Sequence, residues 1–265
     1  MKIGFLGAGE MGGAIIKGLI DFGGYRAGDI LAGVHTEKSA QNLYSRYGID
    51  ASTDNAHVVS KADVLVIAVK PAVVPEVLQQ IAQELTSPKL VLSVALGSTT
   101  QMLEAALPGF PVVRVMPNTP IALGKGMSLL ARGRYVTDEQ MQTARDLFGC
   151  AGRVEELPEN LFDAATAVSG SGPAFIYYVI AALAKGGMDL GLPEKTANLL
   201  AAQMTAGAAS MALLSGQSPA ALQKSVTTPG GCTAAGVAVL EETRADQIFE
   251  KVVQATVAKA QEFAK

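Results

Sequence analysis

The N-terminal segment MKIGFLGAGEMG contains residues whose spacing could bind the pyrophosphate of a dinucleotide. An apolar run, Ile3–Leu6, is followed by glycines at positions 7, 9 and 12. In a dinucleotide-binding turn, the first glycine permits the tight turn, the second lets a phosphate approach the backbone, and the third allows close helix packing. The predicted contacts are Gly7, Ala8, Gly9, Glu10, Met11 and Gly12.

The context of this turn decides between a nucleotide site and an ordinary structural turn. The chain has 28 glycines among 265 residues, so the same spacing also arises by chance. Apolar residues with helical spacing follow the turn at once, as the motif requires: Met11, Ile15, Ile16 and Leu19. The nucleotide site is therefore favoured, and a glycine-rich structural turn is the alternative.

The end of the second predicted strand bears on the choice of coenzyme. An NAD-specific fold commonly places an Asp or Glu there, against the ribose 2′-hydroxyl. This chain instead has His35 and Thr36, followed by Glu37 and Lys38. Without the repulsion of an acid, His35, Thr36 and Lys38 could accept a 2′-phosphate, which favours NADPH over NADH. Glu37 keeps NADH as the alternative, and His35 taken alone is typical of a surface histidine.

Two later strand ends offer further candidates for the same crevice. The segment AVKP, Ala68–Pro71, ends the third predicted strand at the edge where an open α/β sheet binds its ligand. Lys70 would lie beside a pyrophosphate or ribose, and a solvated lysine is the alternative. The segment VRVMPNTP holds Asn118 and Thr119 between two prolines in a rigid loop. That loop could line a nicotinamide pocket or simply close the sheet.

Two loops in the second half combine hydroxyl residues with glycines just before a predicted helix. They are VSGSGPA, residues 168–174, and TTPGGCT, residues 227–233. Exposed backbone N–H groups and the helix dipole could bind an anion such as a carboxylate there. TTPGGCT is the better substrate candidate, and an ordinary helix N-cap is the alternative for each loop.

The missing residue types also constrain the mechanism. The chain has two histidines, His35 and His57, both in the nucleotide-binding half, and the loops above hold no triad, metal cluster or carboxylate pair. If hydride transfer occurs, the substrate would supply its own electrophile, as a protonated imine does. The protein then needs to bind and orient it, with no metal ion.

Short apolar runs alternate with helical patterns through the first half of the chain. The predicted strands are Ile3–Leu6, Ile30–Val34, Asp63–Val69, Leu90–Val94, Val112–Met116 and Met127–Ala131, with helices at 36–47, 74–85, 99–107 and 138–148. Near-continuous apolar strands such as DVLVIAV indicate burial on both faces, which is typical of a parallel sheet flanked by helices. We predict an α/β fold whose N-terminal domain, residues 1–157, is a Rossmann-like doubly wound sheet that binds the dinucleotide.

Beyond Pro158 the patterns are helical. The predicted helices span 159–168, 173–189, 193–214, a shorter piece from 219, then 232–241 and 246–263. Two stretches, LLAAQMTAGAASMALL and CTAAGVAVL, are rich in small residues and carry little charge, so their helices need a partner to cover them. We predict that residues 158–265 form an all-α dimerisation and substrate domain. A self-contained bundle in a monomer is the alternative.

Composition limits the partners and the compartment. A formal net charge of -3 gives no basic field for nucleic acid. The longest apolar stretch, Ala174–Ala184, falls short of the roughly 18 to 20 residues that span a bilayer, so no membrane association is expected. The two cysteines, Cys150 and Cys232, are too few for a disulfide framework, which favours a reducing cytoplasm.

Taken in order along the chain, these motifs resemble the pyrroline-5-carboxylate reductase family. The resemblance is carried by IGFLGAGEMGGAIIKGL, ADVLVIAVKP, VRVMPNTP, VSGSGPAFIY and VTTPGGCTAAGVAVLE. It runs from Ile3 to beyond Glu241 and so covers both predicted domains. The TPGG loop is much more specific than the glycine turn.

The resemblance implies reduction of 1-pyrroline-5-carboxylate to L-proline with NADPH, or less well with NADH, as the last step of proline biosynthesis. It implies that Asn55 contacts the adenosine side of the coenzyme and that the segment Ala68, Val69, Lys70 and Pro71 contacts its nicotinamide side. The loop with Thr228, Gly230, Gly231 and Cys232 would bind the substrate carboxylate through backbone amides, and Thr233 would hydrogen-bond the ring nitrogen. Family members form interlocked homodimers with the site between subunits, and some assemble five dimers into decamers.

The chain departs from the family's motifs at Cys232, and two other functions are alternatives to the reductase. The family usually has Thr or Ala where this chain has Cys232, which should cost little because the expected contacts there are backbone ones. The β-hydroxyacid dehydrogenases share the N-terminal turn but carry a catalytic lysine pattern that is absent from GPAFIYYVIAALAKGG. A non-catalytic NADP-binding regulator would have no need of TTPGGCT, so the presence of both motifs favours an enzyme.

Overall fold

Among the residues that the computed structural model describes, 1–85 and 87–262, eight strands form one sheet. They are β1 (Ile3–Leu6), β2 (Ile30–Gly33), β3 (Asp50–Ser52), β4 (Val64–Ile67), β5 (Leu90–Ser93), β6 (Val112–Met116), β7 (Gly126–Arg132) and β8 (Gly152–Glu156). The order in the sheet is β3-β2-β1-β4-β5-β6-β7-β8. Neighbouring strands are parallel except β6 and β7, which are antiparallel.

Helices cover both faces of this sheet. They are α1 (Glu10–Asp21), α2 (Glu37–Tyr47), α3 (Asn55–Lys61), α4 (Val74–Glu84), α5 (Thr100–Ala106) and α6 (Asp138–Gly149). Residues of α1, α2 and α6 pack on one face together with Phe5 of β1, whereas α3, α4 and α5 pack on the other face with Leu6. Strands that are apolar on both sides require this arrangement. The predicted Rossmann-like doubly wound sheet is confirmed.

The point at which the strand order reverses lies between β1 and β4. Moving outward from β1, the chain places β2 and β3 on one side and β4, β5 and β6 on the other. At such a point the connections leave the sheet in opposite directions, which opens a crevice at the carboxyl ends of the strands. The glycine turn after β1 and the segment AVKP after β4 both lie at this edge.

Three elements of this region escaped the sequence prediction, for identifiable reasons. Strand β3 has three residues at the sheet edge and begins with Asp50, while β8, GRVEE, is mostly charged and partly exposed. Helix α3 has seven residues and is begun by Asp54, whose carboxylate accepts from Ala56 N–H at 2.9 Å. Short or charged elements lack the apolar periodicity on which the prediction depended.

The C-terminal part of the described chain is helical, as predicted. Its helices are α7 (Phe162–Ala165), α8 (Gly172–Asp189), α9 (Glu194–Leu214), α10 (Pro219–Val226), α11 (Cys232–Glu242) and α12 (Ala245–Glu262). The predicted helix at 246–263 includes residue 263, which lies outside the described residues. Backbone contacts divide the chain into two compact units, one with Met1–Ser171 and the residues from Thr256, the other with Gly172–Ala255. The predicted domain boundary after residue 157 stays a prediction.

Two helical stretches, residues 159–189 and 194–214, are long and apolar enough to cross a membrane by length and composition. Only 11% of the apolar window in each is buried within this chain. Exposed apolar side chains include Tyr178 on α8 and Leu199 on α9. An exposed apolar surface of this kind is typical of an interaction site, and either a second protein copy or a lipid phase would bury it.

Candidate active site

The turn after β1 has the backbone that a dinucleotide pyrophosphate requires. Gly7 adopts a φ of +88°, and a Cβ there would lie 2.8 Å from the Ala68 carbonyl oxygen. A Cβ on Gly12 would lie 3.2 Å from the Ala68 Cβ, so glycine allows α1 to pack closely against the residue that follows β4. A Cβ on Gly9 would meet no protein atom within 4 Å among the described residues. Gly9 therefore faces open space at the N-terminus of α1, as a phosphate-binding glycine should.

A cleft of about 680 Å³ lies at the carboxyl ends of β1, β2 and β4. The predicted residues that line it are Gly7, Ala8, Gly9, His35, Asn55, Ala68, Val69 and Lys70. Pro71 begins the short 3-10 turn Pro71–Val73 that leads into α4. Met11 packs against the core on the α1 side of the sheet. The fold thus brings most of the predicted coenzyme residues to one cleft.

The residues after β2 divide between the cleft and the start of α2. Thr36 is the N-cap of α2, and its hydroxyl accepts from the Ser39 N–H at 3.1 Å. The carboxylate of Glu37 accepts from the Thr53 hydroxyl at 3.2 Å. His35 is exposed and lines the cleft. Glu37, the acid that kept NADH as an alternative coenzyme, is therefore hydrogen-bonded to the residue that follows β3.

Asn55 lies in a chain of side chains on the cleft wall. Its Nδ2 donates to Gln80 Oε1 at 2.7 Å, and Gln80 Nε2 donates to Glu76 Oε1 at 3.3 Å. A Cβ at position 33 would overlap Asn55 Oδ1. Gly33, the last residue of β2, therefore leaves the space that this oxygen occupies.

A second cleft, of about 330 Å³, adjoins the glycine turn and lies between α1 and α2. Glu10, which the sequence placed at the coenzyme site, lines this second cleft, together with Lys17 and Arg46. Lys17 is ion-paired with Asp21 on the same helix, and the Arg46 guanidinium stacks 5.1 Å from the Tyr47 ring centroid.

The loop after β6 has a structural role in this fold. The Asn118 side chain donates to the Ser169 carbonyl at 3.1 Å and accepts from the Met127 N–H at 2.9 Å. Asn118 is 8% exposed. Of the two alternatives for the segment VRVMPNTP, the contacts of Asn118 support closure of the sheet.

The two glycine-rich segments of the second half differ in structure. Residues Thr166–Gly170 form a π-helical turn in which the Ser171 N–H donates to the Thr166 carbonyl at 2.9 Å. The expectation of an open loop in VSGSGPA before Pro173 is therefore wrong, because its residues continue a helical turn instead of leaving their N–H groups free. Sequence reasoning missed this because the glycines at 170 and 172 are typical of loops.

The segment Thr228–Thr233 consists of a short loop up to Gly231 and the first two residues of α11. Gly230 has a φ of +73°, and the Gly231 N–H donates to the Thr228 carbonyl at 2.9 Å. The first N–H groups of any helix lack intrahelical acceptors, and the N-cap of α11, Gly231, has no side chain to accept from them. Thr233 lies in this first turn and is exposed. The loop therefore offers backbone donors and a hydroxyl to an anionic ligand.

The two cysteines differ in position, since Cys150 lies outside both candidate sites and Cys232 lies in the segment Thr228–Thr233. Burial raises the pKa of the Cys150 thiol above its ordinary value, which keeps it protonated. Cys232 is exposed at the start of α11. In the described part of the chain, no group of three or more His, Cys, Asp or Glu side chains could hold a metal ion.

The sequence prediction missed one wall of the 680 Å³ cleft. Val73, Glu76, Val77 and Gln80 line it from the start of α4. Their spacing of three and four residues is that of one helix face, immediately after the segment AVKP. The periodicity was visible in the sequence. Whether this face of α4 points toward the cleft depends on how the helix packs on the sheet.

This fold and cleft define the class of Rossmann-type dinucleotide-binding proteins. Family models match the two halves of the chain: residues 2–97 match "NADP oxidoreductase coenzyme F420-dependent", and residues 159–263 match "Pyrroline-5-carboxylate reductase dimerisation". A pyrroline-5-carboxylate reductase from Methanosarcina acetivorans is 41% identical over 265 residues, which is 100% of this chain and 98% of that protein. The chain belongs to the pyrroline-5-carboxylate reductase family.

Solved structures agree with this assignment. The pyrroline-5-carboxylate reductase of Coxiella burnetii has a TM-score of 0.91 and 34% identity, and the match covers 100% of this chain and 98% of that one. The pyrroline carboxylate reductase of Plasmodium falciparum, solved with NADP bound, has a TM-score of 0.91 and 28% identity over the same shares. The resemblance that the motifs carried is confirmed along the whole chain.

Proposed function

We propose that this chain reduces 1-pyrroline-5-carboxylate to L-proline with NADPH, with NADH as a poorer alternative. The observation that carries the proposal is the presence in one chain of the coenzyme cleft and the open N-terminus of α11. Full-length similarity to pyrroline-5-carboxylate reductases supports it. The two predicted domains, residues 1–157 and 158–265, would divide coenzyme binding from dimerisation and substrate binding.

The nicotinamide coenzyme supplies a hydride when bound, and the chain's own residues bind and orient the reactants. The turn from Gly7 to Gly12 offers backbone N–H groups and the N-terminal end of the α1 dipole to the pyrophosphate. The loop from Thr228 to Thr233 holds the substrate carboxylate through backbone N–H groups. The Thr233 hydroxyl hydrogen-bonds the ring nitrogen and so orients the C=N bond.

The substrate itself provides the electrophilic activation that this chain does not need to supply. A hydride that adds to the carbon of a protonated C=N bond moves the π electrons onto nitrogen, which keeps its proton and becomes the amine of proline.

The absorbance of NADPH at a fixed enzyme concentration tests this proposal. It should fall when 1-pyrroline-5-carboxylate is added and stay constant without it.

The β-hydroxyacid dehydrogenase alternative is tested with the same protein. We expect no NADPH formation from NADP⁺ and 3-hydroxyisobutyrate. Turnover of the hydroxy acid together with no turnover of the imine would reverse the assignment. Binding of NADPH with no turnover of either compound would support the non-catalytic regulator.

The family match to a dimerisation region supports association through the helical part of the chain. Within this proposal the association is a homodimer, with a decamer of five dimers as a larger assembly, and the enzyme is cytoplasmic with no membrane or nucleic-acid partner. The exposed apolar side chains of α8 and α9 are those that a second copy would cover. Light scattering after size-exclusion chromatography in the absence of detergent distinguishes monomer, dimer and decamer.

A further inference from the structure

Three side chains form a hydrogen-bonded relay along the wall of the coenzyme cleft. Glu76 and Gln80 lie one turn apart on α4, and Asn55 is the first residue of α3. Gln80 donates to Glu76 at 3.3 Å, and Asn55 donates to Gln80 at 2.7 Å. All three side chains line the cleft.

The direction of this relay follows from the chemistry of its first member. An ionised carboxylate such as Glu76 can only accept hydrogen bonds, so Gln80 must turn its NH₂ group toward it. The Gln80 carbonyl oxygen then faces Asn55, which must in turn present its own NH₂ group. The relay therefore leaves the Asn55 carbonyl oxygen, Oδ1, on the side away from Gln80.

The position of this oxygen is set by Gly33. A Cβ at residue 33 would overlap Oδ1, so the oxygen lies directly over the last residue of β2. In an NAD-binding fold, an acidic side chain at this strand end accepts a hydrogen bond from the adenosine ribose. Here Asn55 brings an uncharged acceptor to the same strand end from α3. An uncharged oxygen does not repel a 2′-phosphate as a carboxylate would.

We propose that Gln80, oriented by Glu76, is a positioning residue for the coenzyme. It holds the Asn55 amide so that Oδ1 accepts a hydrogen bond from a hydroxyl of the adenosine ribose. Gln80 acts through Asn55, and Gly33 leaves the space that the arrangement needs. This inference rests on the proposed function in one respect: it takes NADPH as the coenzyme. It does not depend on which reaction the coenzyme serves.

The test compares Gln80→Leu with Gln79→Leu, a matched change at the exposed neighbouring position of the same helix. The dissociation constant of NADPH is measured by fluorescence titration of the purified protein without the imine. Because Asn55 loses the hydrogen bond that orients its amide, Q80L should bind NADPH about fivefold to tenfold more weakly, and Q79L within about twofold of the parent. The kcat of Q80L at saturating NADPH should stay within about twofold, because the relay lies at the adenosine end.

A rescue variant separates orientation from a merely structural effect. In the double variant E76Q/Q80E, the amide at 76 donates to the carboxylate at 80, which still accepts from Asn55 Nδ2. This variant should bind NADPH within about threefold of the parent, although one charge has moved by a turn. Thermal unfolding of each variant without coenzyme shows whether it is folded.

Two results would overturn the proposal: equal NADPH affinity in Q80L and Q79L, or an E76Q/Q80E variant that binds as weakly as Q80L. Failure of the proposed function has a different signature. In that case the parent protein binds NADPH but does not reduce 1-pyrroline-5-carboxylate, and the comparison of affinities is unaffected.

Discussion

Arg114 on β6 forms an ion pair with Glu159, with 3.2 Å between Nη1 and Oε1. Arg114 is 4% exposed, and its guanidinium also lies 4.8 Å from the ring centroid of Phe162. Glu159 additionally accepts from the backbone N–H and the hydroxyl of Thr100, at the start of α5. One carboxylate thus connects the sheet, a helix and the segment that follows β8.

We expect Glu159→Ala to lower the free energy of unfolding by about 2 to 4 kcal/mol, because it leaves the Arg114 charge buried with a weaker partner. Asp163 remains, at 3.9 Å from Nη2. Glu155→Ala, at an exposed position on β8, is the control and should change stability by less than about 0.5 kcal/mol. Urea unfolding of both variants without coenzyme measures this. Equal stability of the two variants would mean that the ion pair contributes nothing.

Gly9→Ala should separate coenzyme binding from folding. A Cβ there meets no described protein atom within 4 Å, so the change in unfolding free energy without coenzyme should stay below about 1 kcal/mol. The same methyl group occupies the space into which a phosphate must come, so the dissociation constant of NADPH should rise at least about tenfold.

Gly28→Ala is the matched control for this change. A Cβ at position 28 is equally free of contacts, and the residue lies in the short 3-10 turn before β2. It should leave NADPH binding unchanged in the same fluorescence titration. If Gly9→Ala bound NADPH as the control does, the turn would not be the pyrophosphate site.

His35→Asp should move the coenzyme preference toward NADH. His35 lines the cleft just beyond β2, and a carboxylate there repels a 2′-phosphate and can accept from a ribose 2′-hydroxyl. We expect the ratio of kcat/KM for NADPH to that for NADH to fall about tenfold or more. His57→Asp introduces the same charge on α3 and should leave the ratio within about twofold. An unchanged ratio in His35→Asp would place the 2′-phosphate away from this residue.

Thr233→Ala tests the substrate side. Thr233 lies in the first turn of α11, and its hydroxyl is the group proposed to orient the C=N bond. Loss of this hydroxyl should therefore lower kcat by about tenfold or more, while the NADPH dissociation constant stays within about twofold. Thr233→Ser keeps the hydroxyl and should recover most of the rate. Thr243→Ala, at the other end of α11, serves as the control. Full turnover by Thr233→Ala would remove this hydroxyl from the mechanism.

The residues explain which parts of this molecule could be predicted from sequence. Strands such as β4 are continuous apolar runs, so their burial and parallel pairing follow from composition. The glycine turn was recognisable because its three glycines have the spacing of a dinucleotide-binding turn and apolar residues with helical spacing follow them. By contrast, the relay through Gln80 depends on the packing of α4 beside α3. Asn55 and Gln80 lie 25 residues apart, so no short sequence motif predicts their hydrogen bond. The π-helical turn at Thr166–Gly170 was missed because Gly170, and Gly172 just after the turn, are typical of loops.

The identity and amount of the product test the proposed reduction of 1-pyrroline-5-carboxylate. The parent protein is incubated with NADPH and 1-pyrroline-5-carboxylate, and L-proline is quantified by chiral chromatography as NADPH oxidation is followed. We expect one L-proline to form for each NADPH oxidised, and no oxidation when the imine is omitted. NADPH that binds but is not consumed, or that is consumed without formation of proline, would contradict it.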